Sequence, residues 1–150
     1  MGGSSRGSSR GGGRACLKAI TLLQPWASLV AIGAKTIETR PYATSYRGPL
    51  AIHAAKTSAP VDDPYFRSLL TSAGLNPDQL PLGAILAICR LIDCEKITPV
   101  NCPCYPEYAF CEFRPAEYIW QLSDIKSLIN PTLSRGHRGL WTYPLPVDPL

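Results

Sequence analysis

Residues 17–40, LKAITLLQPWASLVAIGAKTIETR, predict three short elements in immediate succession. The first seven residues are mostly apolar or β-branched, which is typical of a strand. Pro25 has the fixed φ that suits the first turn of a helix, so residues 25–32 predict a short helix that ends at Gly33. Residues 35–40 alternate in character and stop before a proline, which indicates an extended segment. Strand, helix and strand therefore follow one another with little connecting chain.

The remaining chain adds strands more often than helices. Residues 61–73 predict a second helix, whose first turn is favoured by the acidic Asp62 and Asp63. The further predicted strands cover residues 48–55, 83–97, 118–122 and 139–143. Since helices do not regularly separate these strands, a doubly wound α/β fold is excluded. The predicted fold is of the α+β class: a small, mostly antiparallel β-barrel with two or three flanking helices.

Length and composition predict one folded domain. The chain has 150 residues, of which 45% are hydrophobic and 17% charged, which fits one soluble core and excludes a wholly disordered protein. Residues 1–14 are almost entirely Gly, Ser and Arg and predict a disordered arm or a cloning remnant. The domain is placed at residues 15–145, with a short tail at 146–150. The chain has no apolar run of the roughly 20 residues that a membrane helix needs and no secretory signal, so we expect a cytoplasmic protein.

The net charge of +4 comes mostly from the N-terminal arm, where three arginines occur without an acid. The rest of the chain holds 12 basic and 11 acidic side chains, so its bulk charge predicts no particular partner. Clustering is more informative, because four basic residues between positions 35 and 56 are opposed by Glu38 alone. These basic residues are Lys35, Arg40, Arg47 and Lys56.

Six cysteines raise the question of a disulfide framework or a metal site. Without a secretory signal, a disulfide framework is disfavoured. Cys89 and Cys94 lie in an apolar stretch and are expected to act as small core residues. The spacing C-x-C-x6-C of Cys102, Cys104 and Cys111 is not a regular zinc spacing, so no metal and no cofactor is predicted.

Several motifs occur in one order along the chain. They are Gln24-Pro25-Trp26, G-x-K-x-x-E-x-R at residues 33–40, Arg47-Gly48 and Ile52-His53-Ala54, with further matches at residues 83–94, 118–120 and 135–141. Together these motifs resemble the ASCH family, the activating-signal-cointegrator homology domain, which is related to the PUA domain. The resemblance covers residues 16–143 and implies a PUA-like β-barrel with a cleft for RNA or other nucleic acid.

The individual residues are compatible with such a cleft. Glu38 limits the repulsion among the neighbouring bases, and Arg40 offers a planar fork to a phosphate or a base edge. Trp26 offers a flat face on which a base stacks. The predicted nucleic-acid-binding residues are Gln24, Trp26, Lys35, Glu38, Arg40, Arg47, His53, Lys56, Arg135 and Arg138.

The same residues also have purely structural interpretations. Trp26 can plug the end of the barrel, and Glu38 with Arg40 can form a plain surface pair. His53 lies in an otherwise apolar strand, where a core histidine with satisfied hydrogen bonds is the simpler interpretation. Arg47 and Lys56 flank that strand, either lining the same opening as the other bases or acting as solvated strand ends.

The favoured function is a binding module that holds single-stranded RNA or a nucleobase. An enzyme is the first alternative, because some relatives resemble amidohydrolases that deacetylate N4-acetylcytidine with a lysine, a threonine three positions later and a distant glutamate. Lys35 matches that lysine, but Glu38 occupies the position of the threonine. Lys35 and Glu38 are therefore the catalytic pair if the protein is a hydrolase of a modified nucleoside or of RNA. The second alternative is a protein-interaction domain of the transcription-coactivator type.

Overall fold

A computed structural model describes residues 16–101 and 118–144. Its elements are β1 (Cys16–Gln24), α1 (Trp26–Ala31), β2 (Ile37–Arg40), β3 (Gly48–Ser58), α2 (Pro64–Ser72), β4 (Ala84–Lys96), β5 (Tyr118–Leu133) and β6 (Trp141–Pro144). Each predicted strand and both predicted helices are confirmed as elements, with shifted ends. The predicted arm at 1–14 and the tail at 146–150 lie outside the described residues.

The strands of the described residues form one sheet in the order β2-β5-β4-β3-β1-β6. The prediction of a closed barrel is wrong, because this sheet is open. The mostly antiparallel arrangement is confirmed: β1 and β3 run parallel, and the other neighbours are antiparallel. The parallel pair arises because the chain passes through α1 and β2 before β3 returns beside β1. The outermost strands β2 and β6 pair with β5 and β1 instead of with each other.

The sheet carries apolar side chains on both faces. Alternate residues of β1 and β3 contact α1 and form the main core, a surface that we call the α1 face. Its members from these two strands are Ile20, Leu22, Leu50, Ile52 and Ala54. The intervening positions point to the opposite side, the Trp141 face, where the buried cluster contains Leu17, Ala19, Ala51, Ile85 and Trp141. The two faces therefore present different side chains from the same strands.

The two helices pack on each other beside the sheet. Asp63 is the N-cap residue of α2: its Oδ2 accepts a hydrogen bond from the Phe66 amide at 2.8 Å. Leu29 of α1 and Leu70 of α2 are fully buried in a separate small cluster. Neither helix in the described part of the chain is long and apolar enough to cross a membrane.

β5 is longer than the sequence predicts. The prediction ended at residue 122, where the apolar pattern stops, but the strand continues to Leu133. Its second half pairs with the first half of β4, from Ser127 opposite Ala87 to Leu133 opposite Ala84. The backbone ladder to β4 therefore extends the strand through residues whose side chains are largely exposed.

Cys89 and Cys94 contribute to the interior as predicted. Both are free thiols; Cys89 is buried in the main core, and Cys94 packs against it. Burial raises the pKa of the Cys89 thiol to about 12. The described residues contain no group of three or more His, Cys, Asp or Glu placed to hold a metal ion. Cys102, Cys104 and Cys111 lie outside these residues.

Candidate nucleic-acid interface

The predicted amine, carboxylate and guanidinium meet at β2, in a group that we call the Lys35 cluster: Lys35, Glu38 and Arg40. The Lys35 side chain is only 1% exposed, and its Nζ donates to Glu38 Oε1 at 2.7 Å and to the Ile37 carbonyl oxygen. Arg40 Nη1 donates to Glu38 Oε2 at 3.3 Å. One carboxylate therefore bridges two cations.

Local structure explains how these three side chains converge. Gly33 takes a φ of 81° after α1, a conformation that favours glycine, and the Lys35 amide then donates to the Leu29 carbonyl oxygen at 3.1 Å. This turn directs the chain into β2, where Glu38 pairs with Trp120 of β5. Since paired residues of antiparallel strands share a face, Glu38 lies on the same side as Trp120, which belongs to the α1 face.

One carboxylate compensates half of the positive charge of the Lys35 cluster. A buried ion pair is maintained only when both partners remain, because removing one leaves a charge in a poorly solvated site. The Lys35 Nζ faces two acceptors, so it is arranged as a hydrogen-bond donor. Arg40 lies with its guanidinium 5.9 Å from the centre of the Tyr42 ring, and its Nε is buried without a hydrogen-bond partner among the described residues. The ion pairs stabilise the β2 edge of the sheet, whereas the buried Nε, unpartnered among the described residues, opposes that stabilisation.

The Gln24 side chain forms internal hydrogen bonds that cap the start of α1. Its side chain is completely buried; Nε2 donates to Ser28 Oγ and to the Pro81 carbonyl oxygen, both at 2.7 Å, and Oε1 accepts from the Ser28 amide at 2.9 Å. All three contacts are internal, so the structure places this amide away from any ligand surface.

Trp26 and Arg47 also lie apart from the Lys35 cluster. The half-buried Trp26 ring packs against Phe66 of α2, with 6.5 Å between the ring centres, instead of filling an end of the sheet. Arg47 donates to the carbonyl oxygens of Thr44 and Tyr46 at 2.9 and 2.8 Å. Arg47 precedes β3, whereas Lys56 lies near the end of that strand, so these two bases do not line one opening.

Four other predicted residues meet in an open pocket of about 410 Å³ on the Trp141 face. We call it the His53 pocket. Its lining consists of Thr21, His53, Ala55, Lys56, Arg135, Gly136, His137 and Arg138. The first four come from the adjacent strands β1 and β3, and the last four from the loop between β5 and β6. The pocket and the Lys35 cluster lie on opposite faces of the sheet, because Thr21 and His53 alternate with the residues that contact α1.

A chain of hydrogen bonds fixes the floor of this pocket. Trp141 Nε1 donates to Thr21 Oγ1 at 3.0 Å, and that oxygen lies 3.1 Å from His53 Nδ1. His53 Nε2 lies 2.7 Å from the Ser134 carbonyl oxygen; because a carbonyl only accepts, Nε2 carries the proton. In the neutral ring, Nδ1 then accepts from the Thr21 hydroxyl. Both nitrogens of the 1%-exposed His53 are thus used inside the protein, as the structural interpretation expected.

Gly136 lies directly against this floor. A Cβ at this position would lie 2.7 Å from both His53 Cε1 and Thr21 Oγ1, a separation that real side chains do not reach. The loop therefore needs glycine here in order to hold Arg135 and Arg138 over the pocket. The sequence analysis missed Gly136, Thr21 and Trp141 as members of the site. The available signal was the glycine between two closely spaced basic residues in the last loop.

The rim of the His53 pocket is basic without compensation. Lys56, Arg135 and Arg138 are exposed, and no carboxylate lines the pocket. Within residues 16–101 and 118–144, the ion pairs involve other bases: Lys35, Arg40, Arg47 and Arg67. The pocket thus concentrates three positive charges that have no acidic partner in the described chain.

Comparison with known families gives a match to most of this structure. The model of the ASCH domain matches residues 20–123, which is more than half of the chain. No curated protein matches the chain. The matched range includes the Lys35 cluster and the strand residues of the His53 pocket, but it ends before the loop that carries Arg135 and Arg138.

Proposed function

This chain belongs to the ASCH domain family, a PUA-like family suggested to bind RNA, and from that premise we propose that it is an RNA-binding module whose ligand lies at the His53 pocket. The observation that supports this proposal is the group of three exposed cations, Lys56, Arg135 and Arg138, around one open pocket in whose lining the described residues place no carboxylate. RNA offers one negative charge at each backbone phosphate, and its neutralisation by lysine and arginine supplies most of the non-specific affinity.

The shape of the pocket fits the same ligand class. Its volume of about 410 Å³ lies within the range of small-molecule sites and accommodates one nucleotide unit. Guanidinium groups bind phosphate oxygens through two parallel hydrogen bonds, which gives orientation as well as attraction. The exposed His137 ring, 5.0 Å from the Trp141 ring centre, adds an aromatic surface beside the basic groups on which a base can stack.

The Lys35 cluster is the less suitable ligand site. Its carboxylate already bridges both cations, so a phosphate would compete with Glu38 for them. The alternative of a hydrolase requires Lys35 or Glu38 to exchange a proton with a substrate. The contacts of Lys35 with Glu38 and the Ile37 carbonyl instead support a role in holding the turn after α1.

Fluorescence anisotropy with an internally labelled single-stranded RNA tests the proposal. If three phosphate charges are neutralised, the logarithm of the affinity falls with the logarithm of the salt concentration with a slope of about −2. The variant Arg135→Gln/Arg138→Gln should bind more weakly and with a slope of about −0.7, because one cation remains. Incubation of the same RNA, and of N4-acetylcytidine, followed by chromatography shows whether any turnover occurs.

The matched control is Arg90→Gln/Lys126→Gln, which removes two exposed positive charges from β4 and β5 outside the pocket. We expect this control to bind RNA almost as well as the unchanged protein. An equal loss of RNA affinity in the pocket variant and in this control would show that the overall charge, and not the pocket, determines binding. RNA affinity that is unchanged by the pocket variant, or turnover abolished by Lys35→Met, would contradict the proposal.

A further inference from the structure

We propose that the His53 pocket recognises a terminal phosphate monoester on the RNA, in preference to the phosphodiesters along its length. This inference rests on the proposed function, since it specifies which part of an RNA the pocket binds. It follows from the number, position and chemical type of the charges around the pocket.

The first argument is the charge balance. A phosphodiester carries one negative charge, whereas a phosphate monoester carries between about 1.5 and 2 near pH 7. Lys56, Arg135 and Arg138 supply three positive charges at one pocket. A terminal monoester together with the adjacent phosphodiester supplies nearly three negative charges over the length of one nucleotide. An internal nucleotide, with a phosphodiester on each side, supplies about two negative charges and leaves one of the three positive charges uncompensated.

The second argument is the distribution of charge over the rest of the described surface. A protein that binds the backbone of a long single strand presents a basic track that follows several phosphates. Here the exposed Arg67 is paired with Asp78 at 2.9 Å, and Arg47 lies 3.7 Å from Asp93. Among the described bases that form no ion pair, Lys56, Arg135 and Arg138 share one pocket of about 410 Å³, whereas Arg90, Lys96 and Lys126 are spread along β4 and β5. A convergent site suits the end of a chain better than its middle.

The three bases of the pocket lie at its rim, around a hydrogen-bonded floor. His53 and Thr21 of that floor are held in a hydrogen-bond chain that ends on the Ser134 carbonyl and on Trp141, so both ring nitrogens of His53 are used inside the protein. Gly136 lies against that floor and brings both loop arginines over it. The positive charge therefore lies at the rim, where arginine remains protonated at any ordinary pH and where a monoester with three terminal oxygens can contact more than one cation.

The experiment compares three RNAs of one sequence, each with an internal fluorophore: one with a 5′-phosphate, one with a 3′-phosphate, and one with hydroxyl groups at both ends. We expect one of the phosphorylated RNAs to bind the 150-residue chain about tenfold more tightly than the hydroxyl-ended RNA. The phosphorylated RNA that binds more tightly shows whether the pocket recognises the 5′ or the 3′ end. A nucleoside monophosphate of the same end should compete for the site, and the corresponding nucleoside should not.

The pocket variant Arg135→Gln/Arg138→Gln should lose this preference, and the control Arg90→Gln/Lys126→Gln should keep it. Equal affinity for the three RNAs, with the pocket variant weaker for all of them, would overturn the terminal preference and leave the proposed function intact. Lack of binding by all three would overturn both proposals. A preference that persists in the pocket variant would place the terminal-phosphate site elsewhere and overturn this assignment.

Discussion

The Lys35 cluster and the His53 pocket lie on opposite faces of one sheet, and they use their charges differently. In the cluster, the single carboxylate of Glu38 bridges two cations that are largely withdrawn from water. In the pocket, three exposed cations surround a hydrogen-bonded floor, and no carboxylate of the described residues lines it. The difference indicates that charge in the cluster contributes mainly to the stability of the fold, whereas charge in the pocket is available to a ligand. Mutation and pH can test each half of this contrast.

The largest effect is expected from Glu38→Gln. This change leaves the Lys35 ammonium buried without its counter-charge, which typically costs about 3–5 kcal/mol of folding free energy. Urea unfolding of the variant measures the loss. The matched control is Asp78→Asn, which breaks an exposed pair with Arg67 and should cost less than about 1 kcal/mol. Similar costs for the two variants would show that the Lys35 cluster behaves as an ordinary surface pair.

Alkaline pH should affect the interior before it affects the pocket arginines. The pKa of Cys89 is raised from 9.0 to about 12 by burial, so above pH 9 the unfolded chain loses a proton that the folded chain retains. The unfolding free energy therefore falls as pH rises from about 9 toward 12, by at most about 4 kcal/mol from this group. Urea unfolding over a pH series measures this fall, and Cys89→Val should reduce it. A fall of the same size in the valine variant would assign the alkaline loss to other groups.

A smaller effect is expected at the pocket floor. Gly136→Ala places a methyl group 2.7 Å from His53 Cε1 and Thr21 Oγ1, so the loop or the floor has to move. Overpacking of this kind typically costs about 1–3 kcal/mol, and here it also displaces Arg135 and Arg138 from the pocket. Thermal unfolding should show a lower unfolding temperature for this variant, and RNA anisotropy should show a lower affinity. A variant with unchanged stability and unchanged affinity would show that the loop does not need this close approach.

The smallest effect on stability is expected from removing the pocket charges. Arg135→Gln/Arg138→Gln alters exposed side chains without ion pairs in the described chain, so its unfolding free energy should change by less than about 0.5 kcal/mol. Urea unfolding checks this value. A loss as large as that of Glu38→Gln would mean that these arginines, like the Lys35 cluster, support the fold.

The local elements could be predicted from the sequence because their signals are local. Pro25 and Gly33 delimit α1, and Asp63 marks the start of α2. The convergence of Lys35, Glu38 and Arg40 was also predictable, since these residues lie within six positions of one another. What failed was the long-range arrangement. Strand order and the parallel β1–β3 pair depend on contacts between distant segments, which periodicity does not encode.

The same limit explains the errors about the site. The sequence analysis gathered ten residues into one cleft, but the register of β1 and β3 sends Thr21 and His53 to the face opposite α1. Once the faces are known, the ten residues separate into the Lys35 cluster, the His53 pocket, and three residues elsewhere: Gln24, Trp26 and Arg47. The need for glycine at position 136 could not be predicted from the neighbouring sequence. It arises because His53, which is distant in sequence, lies too close to this position for a side chain.

The most direct test of the account measures unfolding free energy and RNA affinity on the same two variants, Glu38→Gln and Arg135→Gln/Arg138→Gln. The account predicts that Glu38→Gln loses stability but, where folded, binds RNA as the unchanged protein does, whereas the arginine variant keeps its stability and loses affinity. A Glu38→Gln protein that retains full stability and loses RNA binding, beside an arginine variant that binds normally, would contradict it.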